Sequence, residues 1–182
     1  MLQTALEYNK VFVRIEGYRP FLTNKYPDKK LAILTCMDTR LVELLPAALG
    51  IKNGDVKILK NAGGIVSHPY GSVMRSLIIA IYQLGVEMIW VIGHTDCGME
   101  HSDTTALLQK MTARGIAPGV IEQVREDGVD FEHWLGGFSD VCEAIQTTMQ
   151  EIRRHPLIPA DIQIEGMLMD SATGEITQIE SL

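Results

Sequence analysis

An α/β fold, three layers around a central and mostly parallel sheet, is predicted by three features of this sequence. Two apolar runs, LAILT and MIWVI, have strand length and no polar alternation, the pattern of strands covered on both faces. Stretches with helical spacing, LVELLPAALG and SVMRSLIIAIYQL, fall between strands, so strand and helix alternate as crossover connections require. Both apolar runs then end in polar clusters that carry cysteine, CMDTR and GHTDCGM. In open α/β sheets the ligand site lies just beyond the carboxyl ends of the strands.

Residues 1–182 are expected to form one domain, because 46% hydrophobic content at this length fills one core and is short for two. Leu2, Ala5, Leu6, Phe12 and Val13 stand near helical spacing, which predicts an amphipathic helix over 2–17 ended by Gly17 and Pro20. Its apolar face packs either on its own sheet or on a second subunit. The first strand, Leu31–Thr35, runs into CMDTR, and LVELLPAALG is a short helix closed by Gly50. The second strand, Val56–Lys60, ends in Asn61, Ala62, Gly63 and Gly64. There the missing side chains either let backbone approach the pocket closely or simply make a turn.

A helix over 71–84, capped by Gly85, precedes the third strand, Met88–Ile92. Residues 102–154 read as mainly helical, broken around 115–119 and 136–137. Ile162–Met169 is the fourth strand, and the glycine-containing SATGE turn before ITQIE predicts an antiparallel strand at the edge. A sheet order of 2-1-3-4 places strands 1 and 3 side by side with their loops diverging, so Cys36, His94 and Cys97 meet at that switch point.

Sixteen basic against twenty-three acidic residues leave a net charge of -7, and no Lys/Arg run is present to attract a phosphate backbone. Nucleic acid is therefore not an expected partner. Three widely spaced cysteines do not make a disulfide framework and fit a reducing compartment. The N-terminus lacks the apolar core of a signal peptide and no run approaches a bilayer span, so a cytoplasmic protein without membrane attachment is expected.

Thiolate and imidazole are preferred ligands of Zn²⁺, and the three-residue step from His94 to Cys97 lets both point one way within a turn. Cys36 supplies a third ligand from the neighbouring strand. Three protein ligands leave a fourth tetrahedral position open, as catalytic rather than structural zinc sites do. In an extended segment Cys36, Asp38 and Arg40 would project from one side, bringing a carboxylate and a guanidinium to the metal. Cys142 falls in the stretch FSDVCEAIQTTMQEI at an unrelated spacing and reads as a core or bystander thiol.

The pattern C-x-D-x-R followed far downstream by H-x-x-C resembles the site of the β-class carbonic anhydrases. The likeness runs through LLPAALGIKNGDVKILKNAGG and GHTDCGM, covers roughly residues 30–100 closely, and is nearest to the short bacterial and archaeal subgroup. It implies one Zn²⁺ per chain on Cys36, His94 and Cys97, and reversible hydration of carbon dioxide to bicarbonate and a proton by attack of a zinc-bound hydroxide. Asp38 would orient the hydroxide and Arg40 would keep Asp38 ionised. The resemblance further implies a closed state in which Asp38 becomes the fourth ligand, and a homodimer or higher oligomer embraced by the N-terminal helix.

Two departures from the commoner family wording, Thr39 in place of serine and Met99 in place of a second glycine, remove no metal ligand. The only tryptophans, Trp90 and Trp134, do not match the one used by members with a regulatory bicarbonate pocket. His68 and His101 flank the site in sequence and are either proton carriers or plain loop histidines. The same machinery also suits another small linear electrophile, carbon disulfide or carbonyl sulfide, or a non-catalytic protein that binds zinc or bicarbonate.

Overall fold

The computed structural model describes residues 1–180. Its five-stranded sheet has the order β2-β1-β3-β4-β5, with β1 Leu31–Cys36, β2 Val56–Asn61, β3 Met88–His94, β4 Gln163–Met169 and β5 Ile176–Ile179. The first four strands are mutually parallel, and β5 returns antiparallel along the edge of β4. The expected order holds, but β1 runs one residue further, to Cys36, and β3 two further, to His94. Two of the candidate ligands thus lie in the ladders themselves and take their positions from strand pairing.

Every residue of β1 is buried, which explains its unbroken apolar run. Ala32 and Leu34 face one core layer, with Met74 and Leu77 of α3 (Ser72–Leu84) and Ile145, Met149 and Ile152 of α7 (Val141–Arg154). Leu31 and Ile33 face the other, with Leu41 and Leu45 of α2 (Leu41–Ala48), Ile92 and Met169. Truncating a side chain such as Ile33, fully excluded from solvent, to alanine costs about 2–5 kcal/mol. Thr35, the one polar residue inside β1, donates its hydroxyl to the carbonyl of Ile92 at 2.8 Å, so its burial leaves the hydroxyl satisfied. Helix α7 lies close on the sheet because β3 carries glycine there: a Cβ on Gly93 would stand 2.8 Å from Ile145 Cδ1.

Residues 102–154 are helical as expected, as α4 (Thr104–Ala113), α5 (Pro118–Glu126), α6 (Phe131–Leu135) and α7. A further interruption follows α5, where Gly128 takes φ +97°. The N-terminal helix α1 spans Leu2–Arg14, shorter than expected, because the chain turns through Glu16 at φ +56° before it reaches Gly17. Pro20 lies within a 3₁₀ turn, Arg19–Phe21. Helix α1 buries none of its residues, so packing on its own sheet is excluded as the account of its apolar face. No helix among the described residues is long and apolar enough to cross a membrane.

Candidate metal centre

Strand β1 ends in Cys36, the adjacent strand β3 ends in His94, and the turn after β3 swings Cys97 back toward both. Their ligand atoms lie within 4.8 Å of one another, and the two sulfurs are 3.8 Å apart. All three residues are buried. Zinc–thiolate bonds of about 2.3 Å at a tetrahedral angle set two sulfurs about 3.8 Å apart, so the pair already has the spacing a tetrahedral ion demands.

The imidazole is oriented for the same purpose. His94 Nδ1 donates to the carbonyl of Thr95 at 2.8 Å, which fixes the tautomer and leaves the lone pair on Nε2. Nε2 is buried without a hydrogen-bond partner, a costly state for a polar atom unless a cation takes the lone pair. The donor set therefore fits a metal ion.

The backbone after β2 completes the wall. Gly64 takes φ +68° and packs so tightly that a Cβ would stand 2.9 Å from the nitrogen of Cys36 and the carbonyl carbon of Thr35. Close approach, rather than a plain turn, is what the glycine pair provides. Burial pushes the Cys36 thiol up, but the His94 ring and the N–H groups of Asp38 and Gly63 stabilise its thiolate, and the net shift is downward. Burial pushes the Cys97 thiol up, the N–H of Met99 pulls it part of the way back, and the neighbouring Cys36 sulfur adds to the rise. The Cys36 sulfur also raises the pKa of His94, against the opposing effect of burial.

Asp38 and Arg40 meet beside the cluster, though by a route other than extended alternation. Arg40 is already helical, at φ -63° and ψ -29°, as the residue that opens α2. The chain folds back so that Asp38 Oδ1 accepts from the Arg40 backbone N–H at 2.8 Å and from Nε at 3.0 Å, while Oδ2 accepts from Nη2 at 2.8 Å. The Arg40 guanidinium holds the Asp38 carboxyl well below the usual carboxylate range. Asp38 Oδ2 stands 3.9 Å from His94 Nε2, which places the carboxylate at the edge of the ligand cluster.

Three residues outside the predicted site set also contribute, two of them within GHTDCGM. Arg40 extends to Asp96, in the turn between His94 and Cys97. Met99 and Phe138 pack against the apolar cluster that contains Cys36 and Cys97. Phe138 arrives from the connection between α6 and α7, pinned by its N–H to the Met99 carbonyl at 3.2 Å and by the His101 N–H to its own carbonyl at 2.8 Å. His68 and His101 stay outside the ligand cluster, and His68 Nδ1 accepts from Tyr70 N–H within its own loop. Cys142 is half-buried on α7 and outside the cluster as well.

Comparison with known proteins places these features in a family. Residues 31–176 match the sequence model described as carbonic anhydrase. The chain is 45% identical over 179 residues to a Bacillus subtilis (strain 168) protein provisionally named carbonic anhydrase YtiB, covering 98% of this chain and 96% of that one. It is 30% identical over 158 residues to a carbon disulfide hydrolase of Acidithiobacillus thiooxidans, covering 82% and 76%. Among solved structures, β-carbonic anhydrase isoform I of Trichomonas vaginalis superposes with a TM-score of 0.89 at 36% identity, covering 100% and 98%.

Proposed function

The chain belongs to the β class of the carbonic anhydrase family, and from that premise we propose that it hydrates carbon dioxide reversibly to bicarbonate and a proton, using one Zn²⁺ per chain on Cys36, His94 and Cys97. The observation that carries the reading is the buried two-sulfur, one-imidazole cluster with an arginine-clamped carboxylate at its edge. Bound there, zinc supplies a Lewis acid that lowers the pKa of water from 15.7 toward about 7.

Two thiolates cancel the formal charge of a divalent ion, so the residues around them must assist more than three neutral imidazoles would. Asp38 gives that help. Held ionised by Arg40, it carries no proton and can only accept, so Oδ2 takes the O–H of the attacking water and turns that oxygen's lone pair toward the carbon of CO₂. The new C–O bond makes bicarbonate, and the proton passes to solvent. Met99 and Phe138 present apolar surface beside the sulfurs, a surface suited to a small linear substrate without charge. A closed form with Asp38 as fourth ligand requires it first to leave its three hydrogen bonds to Arg40. The free apolar face of α1 supports a homodimer or higher homo-oligomer.

A second reading, hydrolysis of carbon disulfide, is favoured by the Acidithiobacillus thiooxidans relative. Metal analysis with stopped-flow CO₂ hydration, run beside hydrogen sulfide release from carbon disulfide, separates the readings. We expect about one zinc per chain and zinc-dependent hydration. A zinc-loaded, folded chain that turns over neither substrate would make it a binding protein.

A further inference from the structure

Resting on that reading of the centre, we propose that Asp96 is a positioning residue, acting through Arg40 to hold the loops that follow β1 and β3, and with them Asp38 and Cys97, in fixed relation. Cys36 ends β1 with Asp38 on the loop that follows it, and Cys97 lies on the loop that follows β3. Arg40 bonds to both. Its Nε and Nη2 donate to the Asp38 carboxylate at 3.0 and 2.8 Å, while Nη1 donates to Asp96 Oδ2 and Nη2 to the Asp96 carbonyl, each at 2.7 Å. Asp96 thus occupies the one guanidinium nitrogen that Asp38 leaves free. With all three nitrogens engaged, the plane of the guanidinium is fixed from both sides.

The backbone at Asp96 is shaped for this contact. Asp96 takes φ +54°, a left-handed conformation that aspartate and asparagine enter more readily than most residues. In that conformation its carbonyl and its carboxylate both reach Arg40, while His94 and Cys97 on either side contribute to the ligand cluster. Strained backbone of this kind persists where surrounding contacts over-determine it. The Asp96 side chain is 86% exposed, so its charge alone contributes little. Its effect is geometric, through the orientation it imposes on Arg40.

A double-mutant cycle on the full chain tests the proposal. Asp96→Gly accepts the left-handed backbone without strain and removes the carboxylate; Arg40→Ala removes the group through which it acts. Two quantities are read for the parent, each single variant and the double: affinity for Zn²⁺ by chelator competition, and deuterium exchange of residues 94–99 in metal-free protein. We expect Asp96→Gly to weaken zinc binding by roughly three- to tenfold, at or below the low end of what partners of metal ligands contribute, and to speed exchange. Both effects should vanish in the Arg40→Ala background. Equal effects in the two backgrounds would mean that residue 96 acts by turn conformation alone, and would overturn the proposal, as would no effect in either. Neither readout uses turnover, so failure of the proposed reaction and failure of this clasp are distinguishable.

Discussion

Cys36 Sγ and Cys97 Sγ stand 3.8 Å apart although 61 residues separate them in sequence. Two adjacent parallel strands that end together create this closeness, and no covalent bond between the cysteines is needed. Cys36→Ser replaces a sulfur whose thiolate is stabilised with a hydroxyl that stays protonated, while nearly preserving shape. Zinc per chain, measured after dialysis, should fall from about one toward zero, with the fold retained by circular dichroism. Retention of stoichiometric zinc would remove Cys36 from the ligand set.

Asp38→Asn separates metal binding from chemistry. The amide keeps the volume and loses the charge that Arg40 stabilises, so zinc content should stay near the parent value. CO₂ hydration should drop on the order of 10²-fold, the scale of a positioned proton acceptor. Arg40→Lys should cost less than Asp38→Asn, because an ammonium keeps the charge but not the fork that engages both carboxylate oxygens. Stopped-flow hydration with parallel metal analysis measures both.

Much of this site was legible because its chemistry is carried by residue type at fixed distance from strand ends. The unbroken apolar run of β1 marked a strand buried on both faces, and CMDTR and GHTDCGM then fell at its end and at that of β3. The role of Asp96 was not legible, since a left-handed aspartate and an exposed surface aspartate look alike in sequence. Phe138 was hidden for another reason. Its contact with Met99 depends on how a helical excursion of some forty residues returns to the sheet, which periodicity does not encode. The geometry of Arg40 differed from expectation because the Asp38 carboxylate captures the Arg40 N–H and turns the chain into helical conformation at Arg40, just before α2 begins at Leu41.

Gly64→Ala should destabilise the chain by about 2–4 kcal/mol, combining a left-handed backbone with a Cβ pressed on the Cys36 backbone. Gly50→Ala is the matched control: its φ is +62°, and its Cβ would meet nothing within 4 Å. Only the backbone cost of about 1–2 kcal/mol should appear there. Urea denaturation of both variants isolates the contact, and equal losses would show that Gly64 is not a close-approach position.

Asp170 closes the β4–β5 hairpin by accepting from the N–H of Thr173 at 2.7 Å, from the Thr173 hydroxyl at 2.9 Å and from the N–H of Ala172 at 2.9 Å. These bonds lower its pKa in the folded state. Because the folded value lies below the unfolded one of about 3.9, the stabilisation is complete above that pH and is lost as pH falls through the folded value. Asp170→Ala should therefore lower the unfolding midpoint at pH 7, and the gap from the parent should narrow under strongly acidic conditions. A gap independent of pH would assign the effect to the turn backbone instead.

Helix α1 places Leu2, Leu6 and Val13 along one side, and each is about half or more exposed within the chain, at 74%, 48% and 53%. A face like this gains nothing from folding alone, since apolar surface stabilises only when removed from water. Leu6→Glu with Val13→Glu should therefore leave a lone chain nearly unchanged, as surface substitutions usually do, within about 0.5 kcal/mol. If α1 covers a second subunit, the same change buries two charges at the interface and the oligomer dissociates. Sedimentation velocity should find the parent as a dimer or larger and the double variant shifted to monomer, with secondary structure intact. Thermal unfolding supplies a second reading: the parent midpoint should rise with protein concentration, and the variant midpoint should not. A parent that is monomeric across the concentration range would leave α1 without the role its exposed side predicts.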